Sequence, residues 1–133
     1  MFLYILNDNE KFAFLNLCSR VAKASKCSTK IQRSAIEKLA YECDINYIVF
    51  NDLENGVEDL ELYFKKSSLA KRKAVLFEII CFALSDSLLE ATEQKIIYDF
   101  AEKINMTAYY STAKEVAKKY ISKKNSLEKY FDL

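Results

Sequence analysis

Apolar residues recur along this chain at the spacing of amphipathic α-helices, with a period near 3.6 residues. The first such segment runs from about Glu10 to Ala24, and its apolar face holds Phe14, Leu17, Cys18 and Val21. After a polar break at 25–28, a second stripe contains Ile36, Leu39, Ala40 and Cys43. The two segments predict an αα-hairpin with a short connection.

The second half of the chain shows a similar arrangement. We predict helices over about 70–85 and 91–105, separated by the polar run Ser85-Asp86-Ser87. Between the two pairs, turn-forming residues within 44–56 predict an irregular connector, and a short helix follows over about 57–66. Two further helical segments, near 108–121 and 127–131, complete the predicted elements.

The two predicted hairpins align on each other without a gap when residue 25 is placed on residue 86. The matched pairs are apolar in both copies: Phe14 with Val75, Leu15 with Leu76, Ile36 with Ile97, and Leu39 with Phe100. Any two amphipathic hairpins align tolerably, but the equal loop lengths favour an internal repeat. We therefore expect one all-α domain over 1–133, a helical bundle of repeat 1 (about 10–45) and repeat 2 (about 70–106).

Composition narrows the chemistry available to the chain. It has no proline and one glycine, Gly56, which favours long helices and excludes glycine-rich phosphate loops. It has no histidine, so the usual general base and the commonest zinc ligand are missing. Its four cysteines show no CxxC spacing, and we interpret them as structural thiols. We therefore predict a protein that is not an enzyme and carries no cofactor.

Charge gives no global attraction to nucleic acid, because 20 basic and 19 acidic residues leave a net charge of +1. Lysine clusters at 65–73 and 118–124 lie beside aromatic residues, a combination that can bind nucleic acid or anionic lipid. Acidic runs lie close to them, so we interpret the clusters as solvated helix faces. The first residues lack the basic region of a signal peptide, and we expect a cytoplasmic protein.

The segment 83–93, ALSDSLLEATE, resembles the signature of the tellurite-resistance TerB-like family, approximately A-x-A-D-G-x-I-x-x-x-E. Asp86, Leu89 and Glu93 match the signature, whereas Ser87 stands where the family usually has glycine. In the first hairpin, Ser25 and Gln32 occupy the aspartate and glutamate positions. The family carries its signature once per hairpin, so the resemblance extends to helix order and repetition.

This resemblance implies an all-α fold and a non-enzymatic interaction module in bacterial stress responses, including tellurite resistance and phage defence. It implies a protein partner, and it allows peripheral membrane association through that partner as well as a homo-oligomer. The working surface would be a groove between the hairpins or a tyrosine-rich face, since tyrosine is enriched at interfaces.

The resemblance also implies an alternative function, a weak calcium-type sensor in which Asp86, Glu93 and Glu90 supply carboxylates to a divalent cation. Calcium takes six to eight oxygen ligands, and Ser25 and Gln32 offer only neutral oxygens in the first hairpin. A simpler interpretation is helix capping, with Glu93 in the first turn of a helix and Asp86 at the preceding turn.

Overall fold

The computed structural model describes residues 2–24, 30–42, 64–84 and 89–131, and all regular structure within these ranges is helical. After a 3-10 turn at Leu3–Ile5, the helices are α1 (Asp8–Ala24), α2 (Lys30–Glu42), α3 (Leu69–Ala83), α4 (Ala91–Lys103) and α5 (Thr107–Tyr130). The predicted all-α class is confirmed for this part of the chain. None of these helices has the length and apolar character needed to cross a membrane.

Several predicted features lie outside the described residues. They are the connector at 44–56, most of the short helix at 57–66, and Asp86 with its flanking serines. The last three residues of that short helix are described and form a turn, which Ser67 closes by donating its N–H to the Phe64 carbonyl at 3.1 Å.

Helix α1 begins two residues before the predicted start because Asn7 caps it. The Asn7 Oδ1 accepts the Glu10 N–H at 2.8 Å, and the Glu10 carboxylate accepts the Asn7 N–H at 2.9 Å. This reciprocal pair satisfies two amide groups that the first turn of a helix leaves without partners.

The helix bounds follow the spacing that the sequence alignment predicted. Helices α1 and α3 start at residues 8 and 69, and helices α2 and α4 run over 30–42 and 91–103. The matched apolar positions are buried in both hairpins: Phe14, Val75, Leu15, Leu76, Ile36, Ile97, Leu39 and Phe100. Each hairpin therefore directs its predicted apolar stripe into the core.

The core is centred on α1 and α3. Residues 13–19 of α1 are all buried, and in α3 every residue from 75 to 83 is buried except the half-buried Phe77. Helix α1 contacts α2, α3 and α4, while α5 packs mainly on α3. Phe64 and Phe100 meet edge to face at 6.0 Å between ring centroids and close one end of the core.

Helix α4 ends in a Schellman motif centred on Asn105, which has a positive φ of 59°. The Met106 N–H donates to the Ala101 carbonyl at 2.7 Å, and the Asn105 N–H donates to the Glu102 carbonyl at 3.1 Å. Arg72 of α3 adds a hydrogen bond from Nη1 to the Ile104 carbonyl at 3.1 Å. The left-handed residue turns the chain sharply, and α5 begins at Thr107.

The prediction of two separate C-terminal helices was wrong, because α5 is one continuous helix of 24 residues. Residues 122–126 are polar and contain neither glycine nor proline, so nothing in them stops a helix. Ala117 is buried, and Ala113 and Ile121 pack against the core. All residues from 122 to 131 are exposed, so this ten-residue segment adds little to the core.

Candidate functional site

Glu90 and Glu93 lie together at the start of α4. Glu93 is the third residue of the helix, its side chain is fully buried, and its Oε1 accepts the Glu90 N–H at 3.3 Å. Glu90 is the N-cap residue of the same capping box. The capping role predicted for Glu93 is confirmed. The positive end of the helix dipole also stabilises its negative charge.

The structure places only two of the three predicted cation ligands next to each other. Glu90 and Glu93 are adjacent, but the Glu93 carboxylate is committed to the helix backbone and Asp86 lies outside the described residues. Within the described ranges, no group of three histidine, cysteine or acidic residues could hold a metal ion. A site formed by Asp86, Glu93 and Glu90 therefore stays a prediction.

A buried polar cluster that the sequence did not predict joins the starts of α1 and α3. The Glu10 carboxylate, 5% exposed, accepts the Lys71 ammonium at 3.0 Å and the Ser67 hydroxyl at 2.6 Å, besides the Asn7 N–H. Burial alone would raise the pKa of Glu10, but these donors and the Lys71 charge hold it below its usual value. The cluster links α1 to the start of α3. The Glu10 carboxylate already accepts hydrogen bonds from Asn7, Ser67 and Lys71.

The two described cysteines lie in the core. Cys18 and Cys81 are buried and form no disulfide. Burial, together with the nearby Glu78 carboxylate, raises the pKa of Cys81 to about 12, and the Lys124 ammonium acts in the opposite direction. The thiol therefore stays protonated at neutral pH. Structural roles are confirmed for these two residues, while Cys27 and Cys43 lie outside the described ranges.

Tyrosines at the α4–α5 junction form a cluster at the edge of the core. Tyr98 and Tyr110 meet edge to face at 5.3 Å, and Lys114 hydrogen-bonds to the Gln94 side-chain oxygen at 3.1 Å. Lys73 lies 4.9 Å above the Tyr109 ring. Because Tyr109 and Tyr110 are half-buried against the core, this cluster mainly stabilises the junction.

A larger uncovered apolar surface lies beside α5. Phe2 packs edge to face on Phe77 at 6.1 Å, and Phe77 packs on Tyr120 at 5.6 Å. Leu127 and Phe131 continue the surface along α5, where they line a shallow depression with Tyr120. We call these five residues the α5 face. Except for the half-buried Phe77, their side chains are 38% to 63% exposed.

The α5 face is bordered by lysines. Lys123 and Lys124 line the same depression together with Glu128, and Lys118, Lys119 and Lys129 occupy other exposed positions of α5. From residue 118 to residue 131 there are five lysines and one acidic residue, Glu128. The end of α5 is therefore strongly basic, although the chain as a whole is nearly neutral.

The lysine and aromatic residues of this region are evident in the sequence, where we predicted a solvated helix face. The signal that could have identified the face is the spacing of Tyr120, Leu127 and Phe131, which places them on one side of a helix. Phe2 and Phe77 could not have been added, because they come from other elements.

No model of a known protein family, no curated protein and no solved structure matches this chain. The TerB-like resemblance accordingly rests on the motif at 83–93 and on the order and spacing of the helices.

Proposed function

We propose that this chain is a non-enzymatic docking module of the TerB-like kind, which acts in a bacterial stress or defence setting through its α5 face. The observation that carries the proposal is the contiguous apolar surface formed by Phe2, Phe77, Tyr120, Leu127 and Phe131. Contiguous exposed apolar patches on a folded domain mark interaction sites more often than scattered apolar residues do.

The position of this surface supports a docking role. Leu127 and Phe131 belong to a stretch of α5 in which every residue from 122 to 131 is exposed. Leu127 and Phe131 keep 49% and 63% of their surface exposed, so they gain only part of their burial energy in the isolated chain. Covering these side chains with a binding partner would supply the rest.

The TerB-like part of the proposal is supported by the motif and by the helix spacing. Polar contacts add to the core packing between the matched hairpins. Glu10 of α1 pairs with Lys71 of α3, and the Thr92 hydroxyl of α4 donates to the Ala24 carbonyl of α1 at 3.0 Å. These contacts are consistent with two repeated hairpins packed face to face.

The proposal is tested by capture from a native bacterial lysate that retains its membrane fragments. The tagged chain is compared with a Leu127→Glu/Phe131→Glu variant and with a matched Asn125→Glu/Ser126→Glu variant, which adds the same two charges at exposed positions of α5. Material bound by the wild type and by the matched variant should be lost from the first variant. If all three proteins capture the same material in the same amount, the α5 face is not the docking surface.

A further inference from the structure

We propose that the α5 face docks on an anionic lipid bilayer, with the end of α5 lying in the plane of the headgroup region. This inference rests on the proposed docking function and names the target of the same surface. Docking on a bilayer requires an apolar stripe, flanking cations and a shape that suits a flat target, and the described residues supply all three.

The apolar stripe is narrow and runs straight along the helix. At 100° per residue, Val116, Tyr120, Leu127 and Phe131 fall within a sector of about 60°. All four side chains are exposed. Helices that bind at a membrane interface combine such a stripe with a lysine-rich polar face and low overall hydrophobicity.

Lysines flank the stripe on both sides. On the same helical projection, Lys123 lies just beyond Val116 and Lys124 lies just beyond Phe131, each by about 20°. Lysine side chains can lay their methylene groups along apolar surface while the ammonium group reaches the phosphates. Lys118 and Lys129 project from the opposite side of the helix and would face away from the target.

The surface is broader than one helix. Phe77 of α3 and Phe2 of the N-terminal segment extend it sideways from Tyr120 through successive ring contacts. Tyr120 and Tyr130 add phenol groups, which favour the boundary between apolar and aqueous regions of a bilayer. Apolar groups that come from three elements and share one side of the molecule suit a flat target better than a narrow groove.

Charge complementarity selects an anionic bilayer as the occupant. A second copy of this chain would bring the α5 lysines against each other, which is unfavourable. A groove in an acidic protein would enclose one helix, whereas this surface is built from three elements that share one side of the molecule. An anionic bilayer presents a flat, continuous negative surface to Lys123 and Lys124 at the two edges of the stripe, and its potential acts on charges within a Debye length of about 8–10 Å.

The test is co-sedimentation of the full chain with vesicles of phosphatidylglycerol and phosphatidylcholine in equal parts, and with vesicles of phosphatidylcholine alone. The chain should bind the anionic vesicles, and the binding should weaken as salt is added. Each lysine near the surface contributes about fivefold in affinity, so Lys123→Gln/Lys124→Gln should lower the partition coefficient about 25-fold. Leu127→Ser/Phe131→Ser should lower it by about tenfold or more.

Two matched variants separate this docking from general attraction. Lys65→Gln/Lys66→Gln makes the same charge change before the start of α3, and Tyr41→Ser removes an exposed aromatic ring from α2. Both should bind within about threefold of the wild type. All substituted residues are exposed, so each variant should keep the wild-type circular dichroism spectrum and melting temperature.

An independent readout uses the absence of tryptophan from the chain. A Phe131→Trp variant places a single indole on the α5 face, and its emission should shift to shorter wavelength with anionic vesicles and stay unchanged with neutral ones. An unshifted emission with anionic vesicles would contradict insertion of the face.

Absence of binding to anionic vesicles at low salt would overturn the proposal, and so would equal losses in the two lysine variants. If vesicle binding fails while the Leu127→Glu/Phe131→Glu variant still loses a captured protein, the face belongs to a protein partner and the docking function stands. If neither binding nor capture depends on the face, both proposals fall.

Discussion

Glu10 and Lys71 stand 61 residues apart in the sequence, and each is the third residue of its helix, yet their side chains meet at 3.0 Å. Each residue follows an N-cap, Asn7 for α1 and Ser68 for α3, which accepts its backbone N–H. The two helix starts therefore lie against each other, and one carboxylate is shared between the cap of α1 and the ammonium of α3.

We expect the Glu10–Lys71 pair to stabilise the fold cooperatively. In a double-mutant cycle with Glu10→Gln and Lys71→Met, the coupling energy should be about 1 kcal/mol, because the carboxylate is buried and the lysine is partly exposed. Urea unfolding of the four proteins measures it. Additive effects within about 0.3 kcal/mol would show that the pair contributes no specific interaction.

The lowered pKa of Glu10 predicts a pH dependence of stability. A carboxylate with a lowered folded pKa contributes fully above its usual value near 4.5, and the contribution is lost as pH falls through the folded pKa. The difference in unfolding free energy between the wild type and Glu10→Gln should thus be constant near neutral pH and shrink in acid below about pH 4.5. Parallel pH profiles down to pH 2 or so would contradict a lowered pKa.

Core positions matched between the hairpins should be costly to truncate. Leu39→Ala and Phe100→Ala should each lower the free energy of unfolding by about 2–5 kcal/mol, since both side chains are buried and each deletion leaves a cavity. Thermal and denaturant unfolding provide the measurement, with Tyr41→Ala, 79% exposed, as the control. A loss below about 0.5 kcal/mol at either core position would place that residue on the surface.

Substitutions at Glu93 distinguish capping from cation binding. Glu93→Gln keeps an oxygen that can accept the Glu90 N–H and should cost little, whereas Glu93→Ala should cost about 0.5–2 kcal/mol with or without metal. Calcium below about millimolar concentration should leave the melting temperature unchanged. A calcium-dependent rise at micromolar concentration that disappears in Asp86→Asn would instead establish the cation site.

The left-handed backbone at Asn105 predicts a glycine preference. Asn105→Gly should be neutral or stabilising, because glycine adopts a positive φ without steric cost, while Asn105→Ala should destabilise by about 1 kcal/mol. Glu102→Ala, on the exposed side of the same helix, should change stability by less than about 0.5 kcal/mol. If Asn105→Ala is as stable as the wild type, the Schellman motif does not stabilise the end of α4.

The features that could be predicted from the sequence are those determined by neighbouring residues, above all by the local periodicity of apolar positions. The bounds of α2 and α4 follow from apolar stripes between polar breaks, and the capping role of Glu93 follows from its place in the first helical turn. The continuity of α5 could not be read in this way, because residues 122–126 are exposed and carry no burial pattern. Only the lack of glycine and proline indicates that the helix continues there.

Contacts between distant residues were the other part that sequence reasoning missed. The pairing of Glu10 with Lys71, and the row formed by Phe2, Phe77 and Tyr120, depend on how helices pack after they form. A single sequence specifies which faces are apolar but not which residues of different helices meet. The candidate docking surface emerged only once α3, α5 and the N-terminal segment were placed together.

The two halves of α5 have different roles: the first half nucleates the helix, and the second half presents the exposed apolar side chains. Nucleation is the unfavourable step of helix formation. A separate peptide covering residues 116–131 would therefore be largely unfolded in water, because so short a helix is only marginally stable by itself. In this protein the first half of α5 packs on the core through Tyr109, Tyr110, Ala113 and Ala117 and supplies the nucleus, and the exposed half grows from it residue by residue. Its side chains are thus held in binding geometry before any encounter, so association proceeds without the entropic penalty of coupled folding.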